Sequence, residues 1–103
     1  MKQDFDKLLQ DRNRMLQEGA RVMLDYLNID LDTCMTMARI ASESTDDPEK
    51  RNRNRNNARR GYDAVTYFST KLDIGDTERK QLRDKLHRLR SALEQLGEKF
   101  PSQ

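Results

Sequence analysis

Apolar residues in this chain return every three or four positions in four separate segments. A helix turns once in about 3.6 residues, so this spacing lines one side of a helix with apolar side chains. The implied class is all-α, a small four-helix up-and-down bundle forming a single domain over residues 1–103. Its helices are expected at about 3–27, 31–44, 48–72 and 76–96, the last two forming an antiparallel hairpin.

In the first segment Phe5, Leu8, Leu9, Met15, Leu16, Val22, Met23, Tyr26 and Leu27 recur at helical spacing. Gly19 shares that face and reads as a point of close approach by another helix. Asn28, Ile29 and Asp30 interrupt the pattern, and Asp30 or Asp32 suits the N-cap of a second helix carrying Leu31, Cys34, Met35, Ala38 and Ala41. Met37 and Ile40 lie nearly opposite that row, which leaves the second helix apolar on more than one side. Asp47-Pro48-Glu49 is the clearest helix start: a capping carboxylate, a proline whose missing N–H costs nothing in the first turn, and an acid at the positive end of the helix. Ala58, Tyr62, Val65, Phe68, Ser69 and Leu72 form the stripe of the helix that follows. Leu82, Leu86, Leu89, Leu93 and Leu96 form a bundle seam on the last, closed by Gly97 and Pro101 with Phe100 folding back.

The stretch from Gly61 to Ile74, with its Tyr62, its Ala64-Val65 pair and its Leu72-Asp73-Ile74 ending, resembles the second helix of a tetratricopeptide repeat. It lacks one residue between the tyrosine and the alanine, has no tryptophan-leucine-glycine pattern before it, and shows no period of about 34 residues. The resemblance covers one helix and implies a scaffold that binds partner proteins.

Apolar residues make up 34% of the chain and charged residues 37%, against usual shares of about 45–50% and about 25%. The core is therefore thin, which favours completion of a helix face by another subunit. The net charge of +2 conceals an asymmetry: residues 1–50 are net −4 and residues 51–103 net +6. The two halves can pack together within a subunit or pair head to tail. No long apolar run and no secretory leader is apparent, so the expectation is a cytoplasmic protein with no membrane partner.

The most unusual stretch spans residues 51–60, with five arginines and four asparagines. Arg51, Arg55 and Arg59 share one stripe and Arg53 and Arg60 another. Guanidinium forks grip phosphates, and Tyr62 or Tyr67 would then stack on bases, so a nucleic-acid binder is one reading. The other is a solvated helix start whose arginines pair with Asp46, Asp47 and the acidic first half. Asparagine is a mediocre helix former, so this start frays unless side chains tie it down. Arg51 and Arg55 fall in line with Ala58, Tyr62 and Val65, where a core stripe would otherwise continue.

No catalytic set assembles. Cys34, the sole cysteine, sits among apolar neighbours and reads as a buried, inert thiol. His87, the sole histidine, sits among basic residues and reads as a surface residue, and Asp4, Asp11 and Glu18 recur every seven residues as a solvated helix face does. The functional expectation is a non-enzymatic interaction or self-association module with no cofactor, catalytic residue or metal site. The candidate partner-binding residues are Arg51, Arg53, Arg55, Arg59, Arg60, Met37 and Ile40. The partner is a protein or a second copy, with nucleic acid as the alternative.

Overall fold

The computed structural model describes the backbone of residues 2–101 and the side chains from Lys7 onward, apart from Leu8, Arg12 and Met15. The expected places of Phe5, Leu8 and Met15 on the first stripe, and of Asp4 on the acidic row, lie outside the described side chains. The chain forms three α-helices: α1 (Lys2–Glu43), α2 (Pro48–Ser69) and α3 (Asp76–Gln95). No strand occurs among the described residues.

The four expected helices are three because the first two are one. Asn28, Ile29 and Asp30 include no proline or glycine and continue the helix, with the Asn28 side-chain amide donating to the Leu24 carbonyl at 3.1 Å. The apparent interruption is a change of face. Leu24, Leu27, Leu31, Cys34, Ala38 and Ala41, in steps of three and four, are the buried seam of α1. Carried backward, the same register meets Ala20, Gln17, Asn13 and Gln10. A second apolar row, Val22, Tyr26 and Ile29, runs nearly on the opposite side of the helix.

The start of α2 is local chemistry. The Asp47 carboxylate accepts from the Lys50 N–H at 3.1 Å, Pro48 stands in the first turn, and the Asn54 amide donates to the Lys50 carbonyl at 2.9 Å, so the asparagine-rich start is tied down. The other end differs from expectation. α2 stops at Ser69, three residues short, and Arg79 of α3 donates to the carbonyls of Ser69 at 3.2 Å and Leu72 at 2.6 Å. Charge-assisted bonds to these two carbonyls, the Ser69 one also accepting from the Leu72 N–H at 3.4 Å, make Arg79 the clasp of this turn. Arg79→Ala should lower stability by about 1–3 kcal/mol in urea titrations. Arg79→Lys should lose less yet fall short of wild type, because an ammonium lacks the guanidinium fork.

Small residues set the α1–α2 distance. A Cβ at Gly61 would collide with the Cys34 sulfur, so Gly61 is the close approach in the bundle. Gly19 has no atom near its would-be Cβ, which corrects the expectation of a contact there. α3 contributes Leu82, Leu89, Leu93 and Leu96 to the core, with Leu86 packed at its edge. Phe68, expected in the core stripe of α2, is instead 46% exposed and stacks edge-on with Tyr67.

α1 outruns its partners. At about 1.5 Å per residue its 42 residues span about 63 Å, and the 22 of α2 only about 33 Å. The extents of 69 × 26 × 18 Å and a radius of gyration of 18.2 Å, against about 13 Å for a compact chain of this length, are those of a three-helix body with a helical arm. Among the described residues Leu24 is the first buried one of α1. Between Gln17 and Asn28 the helix borders a shallow cleft closed by residues 73–81, and before that the arm stands clear.

Candidate protein-interaction surface

The arginine run does not act as one array. Arg51 and Arg55 are half-buried, and the Arg55 Nε is sealed from solvent without a hydrogen-bond partner. Arg59 is held on three sides: it donates to both Asp63 oxygens at 3.2 Å and to the Lys99 carbonyl at 2.7 Å, and its guanidinium lies 3.9 Å from the Phe100 ring centre. Arg90 approaches the same ring at 4.9 Å, and Tyr62 meets it edge-on with centroids 4.9 Å apart. Phe100 therefore folds back onto α2 as well as α3, guided by Gly97 at φ 93° and by the Glu98 N–H donating to the Leu93 carbonyl at 3.0 Å. The cation–ring contacts make Arg59 a structural clamp for the C-terminal segment.

Arg53 and Arg60 remain exposed. Seven residues apart, they share the outer face of α2 with Ala64 and Tyr67, both exposed. The expected pairing of the arginine run with the acidic half is not observed among the described residues, where the single ion pair joining the halves is Lys85–Asp32 at 3.3 Å.

Met37 packs against the core and Ile40 is half-buried, so neither offers a free apolar surface. Apart from Met35, Tyr67 and Phe68, the exposed large apolar residues among those described lie earlier on α1. Leu16 is 62% exposed, Tyr26 61% and Ile29 60%, and Leu9, Val22 and Met23 accompany them. They extend over about 30 Å of α1, from Leu9 to Ile29, in two rows, Leu9, Leu16 and Met23 beside the seam and Val22, Tyr26 and Ile29 farther round. Asp11, Glu18 and Asp25 follow the edge of the second row at seven-residue intervals. Asp11 holds Arg14 at 2.9 Å, one turn away on the same helix. Periodicity alone places these apolar residues in the core, because it assigns the whole first segment to one covered face. The available signal was their division into two rows, only one of which continues into the seam of Leu24, Leu27 and Leu31.

Cys34 is buried against α2, and burial, reinforced by the nearby Asp30 carboxylate, pushes its thiol above the ordinary range. That is the reverse of an activated nucleophile. His87 is exposed. Among the described residues no three His, Cys, Asp or Glu side chains stand together as a metal-ion site, and no helix is long and apolar enough to cross a membrane.

No family model, curated protein or solved structure matches the chain.

Proposed function

We propose that the chain is a non-enzymatic protein-interaction module whose binding element is the apolar stripe on the α1 arm. One observation carries this reading: Leu16, Val22, Tyr26 and Ile29 are all more than half exposed on one helix, and the last three share one side of it. Contiguous apolar surface of that kind marks contact sites in proteins. A helix of this length without tertiary packing is marginal in water, so covering the stripe also stabilises the arm. Helix-to-helix docking reads such a face through residues three, four and seven apart.

Replacing Leu16 and Tyr26 together by Glu should abolish association, followed by light scattering and by chemical crosslinking of the whole chain. The thermal unfolding of the three-helix body should stay the same, because neither residue belongs to the core. Unchanged association in this double variant would remove the proposal.

The nucleic-acid reading is weaker because Arg59 is engaged and Arg51 and Arg55 are half-buried. With two exposed arginines contacting phosphate, binding would follow salt with a logarithmic slope of only about −2. Oligonucleotide titrations should accordingly show no steep salt-dependent affinity. A slope of about −5 that shrinks by about 2 on replacing Arg53 and Arg60 by Ala would favour the nucleic-acid reading instead.

A further inference from the structure

We infer that Arg59, Arg90 and Tyr62 form a binding site for an aromatic residue preceded by a carboxylate on a partner peptide, and that the chain's own segment Gly97–Pro101 fills this site in cis as a displaceable cover. The site lies on α2 and α3 and is separate from the α1 arm.

The cover shows what the site accepts. Guanidiniums from two helices converge on the Phe100 ring, Arg59 of α2 at 3.9 Å and Arg90 of α3 at 4.9 Å from its centre, and Tyr62 meets the ring edge-on. Cations are drawn to the negative face of an aromatic ring. Each guanidinium is steadied by a carboxylate one turn on along its own helix, Asp63 for Arg59 at 3.2 Å and Glu94 for Arg90 at 3.3 Å. Rigid elements therefore aim both groups at the ring. Beside it, Arg59 takes one acceptor from the cover, the Lys99 carbonyl at 2.7 Å. The site reads a ring and an adjacent acceptor.

The cover matches the site in shape but not in charge. The acceptor it gives Arg59 is a neutral carbonyl, whereas a carboxylate makes the stronger bond to a guanidinium fork. Lys99 brings a third cation to a site that already holds two, and like charges repel. Arg55, one turn before Arg59, keeps its Nε sealed from solvent with no acceptor. Donors and positive charge thus exceed what the cover satisfies. The cover is also cheap to open. It lies beyond the last helix, is turned by Gly97 at φ 93° and held by the Glu98 N–H on the Leu93 carbonyl at 3.0 Å. No residue after Leu96 is fully buried among those described, so its release leaves the leucine seam of α3 in place. Short segments of this kind open locally without global unfolding. A partner segment with Asp or Glu where the cover has Lys99, followed by an aromatic residue, keeps the ring contacts and turns the repulsion into attraction.

Fluorescence anisotropy with two labelled peptides tests this: the cover's own sequence, Gly-Glu-Lys-Phe-Pro, and the same sequence with Asp in place of Lys. Phe100→Ala empties the site and leaves Arg59, Arg90 and Tyr62. This variant should bind the aspartate peptide about tenfold or more tighter than the lysine peptide. It should also bind it about tenfold or more tighter than wild type does, because a closed cover lowers the apparent affinity by the open fraction. Adding Arg59→Ala should abolish binding. Phe100→Leu keeps the bulk without the aromatic face, and should give the same order of affinities with a smaller gain. Circular dichroism should report wild-type helix content for each protein. No binding of the aspartate peptide to either Phe100 variant, equal binding of the two peptides, or binding that survives Arg59→Ala would each overturn the inference. Displacement of the peptide by adenosine monophosphate at a lower concentration than by unlabelled peptide would assign the site to a nucleotide and overturn it as well. The Leu16→Glu, Tyr26→Glu variant should bind the peptide as wild type does, which keeps this site distinct from the arm.

Discussion

Alanine at position 61 should destabilise the chain by about 1–3 kcal/mol, the usual range for forcing a methyl group into a packed core. The sign is the informative part. Glycine inside a helix is ordinarily less stable than alanine by about 0.5–1 kcal/mol, so an open site would gain stability. At Gly61 the new Cβ meets the Cys34 sulfur, and relief requires turning a buried thiol or separating α1 from α2. Removing that sulfur reverses the balance: in the Cys34→Ala background, Gly61→Ala should be neutral or stabilising. The remaining neighbour, the β-carbon of residue 34, lies 3.8 Å away, an ordinary contact. Urea titration of the four proteins gives the coupling directly. Equal effects of Gly61→Ala in both backgrounds would show that the Cys34–Gly61 contact does not set the helix spacing.

Leu89→Ala should have the largest effect of any single truncation, about 2–5 kcal/mol. Leu89 is 0% exposed at the centre of the α3 seam, and the buried core holds twelve apolar residues among those described. Domains of this kind are stable by about 5–15 kcal/mol, so the loss approaches the whole margin. The matched control is Leu16→Ala on the arm, 62% exposed, which should change the stability of the three-helix body by no more than about 0.5 kcal/mol. The two leucines are alike in residue type and helical setting and differ in what covers them. A midpoint shift for Leu89→Ala no larger than that for Leu16→Ala would contradict the placement of the core.

How much of this is legible in the sequence varies with the range of the interaction. The Asp47-Pro48-Glu49 start of α2 and the Gly97 end of α3 involve neighbours within one turn, and both are where the residues indicate. The leucines of α3 are recognisable because a bundle seam keeps one register along a whole helix. The junction at Asn28 reads as a break because two rows of apolar residues, each helical in spacing, overlap between Val22 and Ile29. A one-dimensional pattern does not distinguish a change of face from a break in the helix. Arg59 reads as a free cation because its partners Lys99 and Phe100 lie some 40 residues away.

The sequence by itself determined that the chain is helical, where α2 begins, where α3 ends, and that its two halves carry opposite charge, because those properties follow from backbone preference and composition. Only the tertiary structure decided which apolar row is core and which is surface. α2 is about half as long as α1, so it covers one row and leaves the other on the open side of the helix. Burial is a relation between segments distant in the chain, and the same leucine spacing serves a covered face and an open one.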